Sequence, residues 1–194
     1  KSSFNLRQNT KLPRIKEVAS ASPNTVTRTT PKSRSTGHML QYYHMLETPH
    51  VLIGAAIATV IPNPAIALPL ALVSHFITDY VPHWNPHINT ELKSTGKIST
   101  RSKMIILTDS GTALMLGTYI ASTRGNFIII MLACFLAVLP DVAEIPYYFL
   151  GMKIGWVEKL IVWQRNHQWN VKPIWGILWQ ILVIVISISI IYTR

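Results

Sequence analysis

Two pairs of polar residues interrupt the apolar stretches of this 194-residue chain. His75 and Asp79 are four positions apart, and Asp141 and Glu144 are three positions apart. Both spacings place the two side chains on one face of an α-helix. Imidazole and carboxylate groups bind divalent metal ions and carry protons during hydrolysis. The pairs therefore predict a metal or proton-transfer site within an apolar helical domain.

Further His and Asp residues lie in or beside the same apolar stretches. We predict that the metal ligands come from His50, His75, Asp79, His83, Asp141 and His167, and that the catalytic residues are Glu144 and Asp109. Glu144 is the candidate proton carrier. Pro82 disfavours helical geometry at Val81, so the helix could end before His83 and turn that side chain away.

The acidic residues of the apolar stretches have almost no basic residue near them in the sequence. An Asp within a bilayer costs at least about 2.5–3.5 kcal/mol and is expected to have a partner. A divalent cation would neutralise several acids at once, and a mixed imidazole and carboxylate set suits zinc, manganese or iron. Each residue alone also has a simpler interpretation. Asp109 could bond to Thr108, Ser110 and Thr112, and Asp141 could begin a helix after Pro140.

Apolar runs divided by turn residues make up most of residues 45–194. Hydrophobic residues are 49% of the chain and charged residues only 13%, against roughly 25% in soluble proteins. The runs cover residues 50–61, 65–81, 104–122, 127–150 and 174–192. A spanning helix needs about 20 residues, so the last three qualify, and the first two could form a short or re-entrant pair. We predict an all-α, polytopic membrane bundle of about four to five transmembrane helices, with an interfacial amphipathic helix within residues 151–173.

The first 44 residues differ sharply in composition from the rest. They carry eight Lys or Arg residues and one acidic residue, with many Ser and Thr and few large apolar side chains. We predict that residues 1–44 are a disordered basic leader and that residues 45–194 are the helical membrane domain. An organellar transit peptide has a similar composition. Because the positive charge is concentrated in this leader, no nucleic-acid partner is predicted, and membrane lipids are the expected partners.

The basic residues of the membrane domain are unevenly distributed between the predicted loops. If all five runs cross, one side carries residues 83–103 and 151–173, which hold eight basic residues: Lys93, Lys97, Arg101, Lys103, Lys153, Lys159, Arg165 and Lys172. The opposite side holds Arg124 and Arg194. Basic loops stay in the cytoplasm, so we predict a plasma or inner membrane location with the N-terminus inside. All candidate site residues then fall near the cytoplasmic face.

Four short motifs give the chain from Thr48 to Tyr192 a likeness to a known family. They are Thr48-Pro49-His50 before Gly54-Ala55-Ala56, the segment from His75 to His83, Leu139-Pro140-Asp141, and His167-Gln168-Trp169. With these motifs the chain resembles the membrane-bound, metal-dependent hydrolases of bacteria and archaea. The resemblance implies a multi-helix membrane protein with a divalent-metal site made of His and Asp.

The chain also departs from that family in two places. The family often has Pro-Asp-x-Asp, whereas Asp141 is followed by Val142, Ala143 and Glu144. A family segment of the form His-Arg…Thr-His-Ser is absent from the sequence.

Two classes of function follow from these observations. The first is a metal-dependent hydrolase acting on a membrane-associated ester or phosphoester, with a lipid as the favoured substrate, since a bound metal lowers the pKa of water to about 7. The alternative is a non-enzymatic ion or proton transporter, or a structural lipid-binding scaffold. A transporter requires polar residues through to the far side, and residues 113–120 and 127–135 are nearly all apolar.

Overall fold

A computed structural model of the protein describes residues 45–169 and 171–193. Residues 1–44, which the composition predicts to be a disordered leader, lie outside the described residues. Within the described part there are eight helices and no strand, so the predicted all-α class is confirmed there. The helices are α1 (Glu47–Val60), α2 (Pro64–Thr78), α3 (Ile88–Thr95), α4 (Thr100–Thr123), α5 (Phe127–Val142), α6 (Ile145–Leu150), α7 (Gly155–His167) and α8 (Pro173–Thr193).

α1 and α2 form a pair of short helices divided at a proline-rich turn. Ile61 is extended, and the Asn63 side chain accepts a hydrogen bond from the Ala65 N–H at 3.0 Å. Pro64 follows this cap as the first residue of α2, where its missing N–H is tolerated. With 14 and 15 residues the helices are about 21 and 22 Å long, shorter than a hydrocarbon core of about 30 Å.

α4 and α8 could each cross a membrane, by their length and apolar composition. They have 24 and 21 residues, and most of each helix is not buried inside the protein. α2 and α5 are apolar but shorter. The predicted fourth run, residues 127–150, is divided into α5 and α6. Pro146 lacks an N–H and would clash with the carbonyl of Val142, where α5 ends.

α1 is the central helix, in contact with α2, α4, α5 and α8. Its contacts rely on small residues: Ala55 of α1, Ala71 of α2 and Ala133 of α5 are fully buried. Small side chains let helix backbones approach closely, which is how helices associate where lipid removes the hydrophobic driving force. The candidate site lies within this closely packed region because α1, α2 and α5 each contribute to it.

The sequence did not predict α3, a short helix within residues 83–103. Its Glu91 carboxylate accepts hydrogen bonds from the Ser99 N–H at 2.8 Å and the Ser102 hydroxyl at 2.7 Å. Partial burial raises the pKa of the Glu91 carboxyl, but these hydrogen bonds outweigh it and hold the pKa below its ordinary value of 4.5. Glu91 thereby caps the start of α4 from outside that helix.

The segment after α2 packs on the first turns of α8. A methyl group on Gly176 would clash with the backbone of His83 and Trp84, so glycine is required for this approach. The buried Gln180 amide donates to the Trp84 carbonyl at 2.7 Å and accepts from the Leu46 N–H at 3.3 Å. One side chain of α8 therefore holds both the entry to α1 and the segment that carries His83.

Candidate metal centre

His50, His75 and Asp79 meet in the interior of the helical bundle. His50 lies in the first turn of α1, His75 in the last turn of α2, and Asp79 directly after α2. Their exposed fractions are 1%, 0% and 3%. One ligand atom from each residue lies within 4.8 Å of the other two, so the cluster could hold a metal ion. The predicted helical pair of His75 and Asp79 is thus joined by a histidine from another helix.

The nitrogen and oxygen atoms of the cluster lie close to one another. His50 Nε2 lies 3.4 Å from Asp79 Oδ1, and His75 Nε2 lies 3.6 Å from Asp79 Oδ2. The two imidazole rings stack with centroids 4.2 Å apart. A tetrahedral zinc ion with bonds of about 2.0–2.2 Å holds its ligand atoms roughly 3.3–3.6 Å apart. The two measured separations are near that range, each to a different oxygen of Asp79, so the cluster could hold an ion.

The tautomer of His75 is set by the backbone of α5. Its Nδ1 lies 2.8 Å from the carbonyl oxygen of Ala137. A carbonyl only accepts hydrogen bonds, so Nδ1 carries the proton and donates it. The other ring nitrogen, Nε2, is the one that lies near Asp79 Oδ2 and Asp141 Oδ1. Metal-binding histidines commonly use the second ring nitrogen in this way.

Three polar atoms of the cluster are buried without a hydrogen-bond partner among the described residues. They are Nδ1 and Nε2 of His50 and Oδ1 of Asp79. The 3.4 Å contact between the two residues is longer than an ordinary hydrogen bond of roughly 2.7–3.2 Å. Buried polar groups without partners are rare because each costs about 1–3 kcal/mol. A bound cation would satisfy the imidazole and the carboxylate together, so the residues fit such an ion.

Asp141 approaches the cluster from the end of α5. Its Oδ1 lies 3.5 Å from His75 Nε2. The Gln164 amide of α7 donates to the same oxygen at 3.1 Å, and its nitrogen also lies 3.1 Å from His75 Nε2. Asp141 is therefore close enough to serve as a further ligand. An ion bound to His75 would replace the contact with Gln164 and leave Gln164 to support Asp141.

Two glutamines of the site were missed in the sequence. Gln164 is 1% exposed, and Gln168 donates to Asp79 Oδ2 at 3.2 Å. They are four residues apart at the end of α7, the same spacing that drew attention to His75 and Asp79. The four-residue spacing of the two glutamines indicates a shared helix face, but the prediction for residues 151–173 was only an interfacial amphipathic helix. Its apolar face instead packs inward and carries these two amides to the site.

Two other predicted ligands lie outside the three-residue cluster. His83 is fully buried, and its Nδ1 donates to the Val81 carbonyl at 2.7 Å. α2 ends before it, as Pro82 suggested. His167 is exposed, stacks on Trp163 at 4.6 Å, and has its Nδ1 2.7 Å from the Trp163 carbonyl.

The two predicted catalytic acids occupy different surroundings. The Asp109 carboxylate accepts hydrogen bonds from the N–H groups of Glu47 and Thr48 and, at 2.6 Å, from the Thr48 hydroxyl. It thus caps the start of α1, close to His50 in the sequence, which is a positioning role. Glu144 is 2% exposed and precedes α6. Glu144 and Asp141 both line a cavity of about 550 Å³.

Comparison with known proteins gives no match, since neither a protein family, nor a curated protein, nor a solved structure matches this chain. What the site can do therefore follows from its own atoms. They form a buried cluster of two imidazoles and one carboxylate, a set that could hold a divalent metal ion.

Proposed function

We propose that this protein is an integral-membrane, metal-dependent hydrolase. One divalent ion is held by His50, His75 and Asp79, with Asp141 as a further ligand. The observation that carries the proposal is the set of imidazole and carboxylate atoms that approach one another to 3.4–3.6 Å. Two of them, His50 Nε2 and Asp79 Oδ1, are buried without a hydrogen-bond partner among the described residues. The mixed imidazole and carboxylate ligands suit zinc, manganese or iron.

Hydrolysis requires activated water and a group that moves its proton. A divalent ion in such a site supplies Lewis acidity and lowers the pKa of water to about 7. Glu144, beside Asp141 in the same cavity, accepts the proton of the attacking water. The water oxygen bonds to the carbonyl carbon or phosphorus, the ester bond breaks, and Glu144 returns the proton to the departing alcohol. This sequence balances without any additional reactant.

The membrane arrangement follows from helix lengths and charge. α4 and α8 cross the bilayer, and the shorter apolar helices pack beside them to give about four to five membrane-embedded helices. The eight basic residues of segments 83–103 and 151–173 support a cytoplasmic position for those segments. The metal centre then lies near the cytoplasmic face of the plasma or inner membrane, and water and a lipid head group would approach it through the cavity lined by Asp141 and Glu144.

Metal content of the purified protein tests the proposal directly. The full chain in detergent is loaded with zinc, manganese or iron in turn, desalted and measured by plasma mass spectrometry. We expect about one ion per chain. The double variant His75→Ala, Asp79→Ala should lose it. His167→Ala is the matched control, because His167 is exposed and lies outside the cluster, and should keep the ion.

The outcomes separate the two classes of function. Stoichiometric metal that depends on His75 and Asp79, together with turnover of a lipid ester or phosphoester, supports the hydrolase. A folded wild type that stays free of metal after loading overturns it and leaves the polar cluster to a transport or scaffold protein. Folding of each variant is checked by its thermal unfolding midpoint.

A further inference from the structure

A groove runs between α4 and α5 and reaches α6. Its volume of about 550 Å³ is typical of pockets that bind small molecules, which are roughly 300–1,000 Å³. Most of its wall is hydrocarbon, contributed by Leu114, Gly117, Met131, Phe135 and Val138. Such a lining accepts an apolar chain, and Asp109 and Ser110 are the polar residues that α4 adds to it.

The groove is long and open along one side. It follows α4 from Leu107 to Gly117 and α5 from Met131 to Val142, distances of about 15 and 16 Å along the helix axes. Leu107 is 66% exposed and Leu114 is 62% exposed, so the groove is not enclosed at its α4 side. Because α4 could cross a membrane, this opening faces hydrocarbon in a bilayer. A lipid chain could enter the groove sideways.

One end of the groove is polar and buried. Asn85 lines it at 5% exposure, and its side-chain oxygen has no hydrogen-bond partner among the residues the structure describes. A carbonyl oxygen accepts, so a head group at this end must donate, as a hydroxyl or an amine does. Four acids line the same groove, and no Lys or Arg of the described residues does: Glu47, Asp109, Asp141 and Glu144. An anionic head group would therefore find no basic partner in the groove lining.

The groove also adjoins the candidate metal centre. Asp141 lines the groove and lies 3.5 Å from His75 Nε2. A molecule with its hydrocarbon chain beside Phe135 and its head group near Asn85 would therefore share the groove with a candidate metal ligand. This continuity distinguishes the groove from an ordinary lipid-facing crevice between helices.

We propose that this groove binds a neutral, hydroxyl-bearing lipid ester, with one hydrocarbon chain between α4 and α5 and the head group at Asn85. The inference rests on the proposed function for its reaction, but binding itself needs no metal. It narrows the substrate from esters and phosphoesters in general to uncharged lipid esters of the acylglycerol kind.

A photoreactive monoacylglycerol with a diazirine near the end of its chain tests the groove. We expect saturable cross-linking of the detergent-purified full chain, mapped by mass spectrometry to residues 107–117 and 131–138. Unlabelled monoacylglycerol should compete. Lysophosphatidic acid, which is anionic, and a fatty acid methyl ester, which donates no hydrogen bond, should compete about ten-fold less well. Equal competition by all three would overturn the assignment of the head group.

Matched tryptophan substitutions test where the hydrocarbon chain of the lipid binds. Leu114→Trp fills the groove, whereas Met115→Trp adds the same side chain at the next, 74% exposed position of α4, which does not line it. Leu114→Trp should weaken monoacylglycerol binding about ten-fold and Met115→Trp should not. Val138→Trp provides a second obstruction from α5. Equal binding by Leu114→Trp, Val138→Trp and Met115→Trp would overturn the proposal.

Metal-stripped wild type separates this proposal from the proposed function. If the stripped protein binds the monoacylglycerol but reloading with metal restores no hydrolysis of any lipid ester, the lipid-binding proposal is supported and the hydrolase proposal is overturned. If the protein binds metal and hydrolyses lipid esters while Leu114→Trp keeps full activity and full monoacylglycerol binding, the hydrolase proposal is supported and the lipid-binding proposal is overturned. Asn85→Leu should weaken binding of the monoacylglycerol and leave the methyl ester unaffected.

Discussion

Gly54 of α1 lies against Ala137 of α5 so closely that a methyl group on Gly54 would lie 2.9 Å from the Ala137 Cβ. It would also lie 2.6 Å from the Ala133 carbonyl oxygen. The Ala137 carbonyl accepts the hydrogen bond that fixes His75, and His50 is one helical turn before Gly54. A single close helix crossing therefore determines the positions of both imidazoles.

Gly54→Ala should loosen this crossing and weaken metal binding. The added methyl group meets backbone, which cannot rotate away, so we expect destabilisation of about 1–3 kcal/mol and a lower metal content. Gly111→Ala is the control, because a Cβ there has no neighbour within 4 Å and alanine is favourable in a helix. Thermal unfolding and metal content are measured for both variants. An unchanged metal content in Gly54→Ala would contradict the coupling of the crossing to the site.

Gln168→Leu should reduce metal affinity without removing a ligand. It deletes the amide that donates to Asp79 Oδ2, and loss of such an outer contact typically lowers affinity about 10–100-fold. Asn166→Leu makes the same kind of change at an exposed position of α7 and should have no effect. Competition with a chelator of known affinity gives the two constants. Similar constants for the two variants would show that Gln168 does not support the site.

Glu144→Gln tests the proton carrier apart from metal binding. The amide has almost the same shape but cannot accept the proton of water, so we expect normal metal content and hydrolysis slower by about 10²–10⁴-fold. Glu47→Gln removes another acid of the same groove and should leave the rate of the chemical step largely unchanged. The rates are measured at saturating substrate. Full activity in Glu144→Gln would exclude its catalytic role.

Gln180→Leu should destabilise the docking of α8. Without its amide, the Leu46 N–H and the Trp84 carbonyl lose a hydrogen bond, at about 1–3 kcal/mol for each group left unsatisfied. Ser189→Ala on the exposed face of α8 removes only a bond to Val185 within the same helix and should be nearly neutral. Thermal unfolding in detergent compares them. Equal unfolding midpoints for Gln180→Leu and Ser189→Ala would mean that Gln180 is not the contact that holds α8.

Glu91 should contribute stability that disappears in acid. Its folded-state pKa is below the ordinary 4.5, so its stabilisation is full above about pH 4.5 and falls as the pH drops through the folded-state value. Glu91→Gln should therefore unfold at a lower temperature than wild type at pH 7, and the difference should shrink below pH 4.5. Glu158→Gln is the control carboxylate on α7. A constant difference at all pH values would contradict the capping role.

The sequence predicted the parts of the site that lie close together along one helix. His75 and Asp79 share a face through local helix geometry, which spacing alone reveals. His50 and Asp141 were candidates by residue type, but their approach depends on how α1 and α5 pack, and a single sequence does not encode that contact visibly. Gln164 was missed because a glutamine in an amphipathic helix is usually solvated, whereas here tertiary packing turns it inward.

The helical class also followed from the sequence, while some helix limits did not. Pro62 and Pro64 marked the division of α1 and α2 correctly, because α1 ends before Pro62 and Pro64 is the first residue of α2. Proline alone does not fix a helix limit, since Pro69 and Pro140 lie inside α2 and α5. α3 was missed because it has only eight residues and is polar, so it shows no apolar periodicity. Its Glu91 contacts the start of α4 across eight residues, which apolar periodicity does not reveal.

The glutamines of α7 reach residues 89 positions earlier in the chain, at His75 and at Asp79. Contacts of such sequence separation form late in folding, after the local helices. A nascent chain would present His50, His75 and Asp79 well before α7 has been synthesised. During synthesis, the three candidate metal ligands are therefore present before the helix that packs over them. A metal ion that binds the complete site more tightly than the partly folded chain would stabilise the packing of α7 against it.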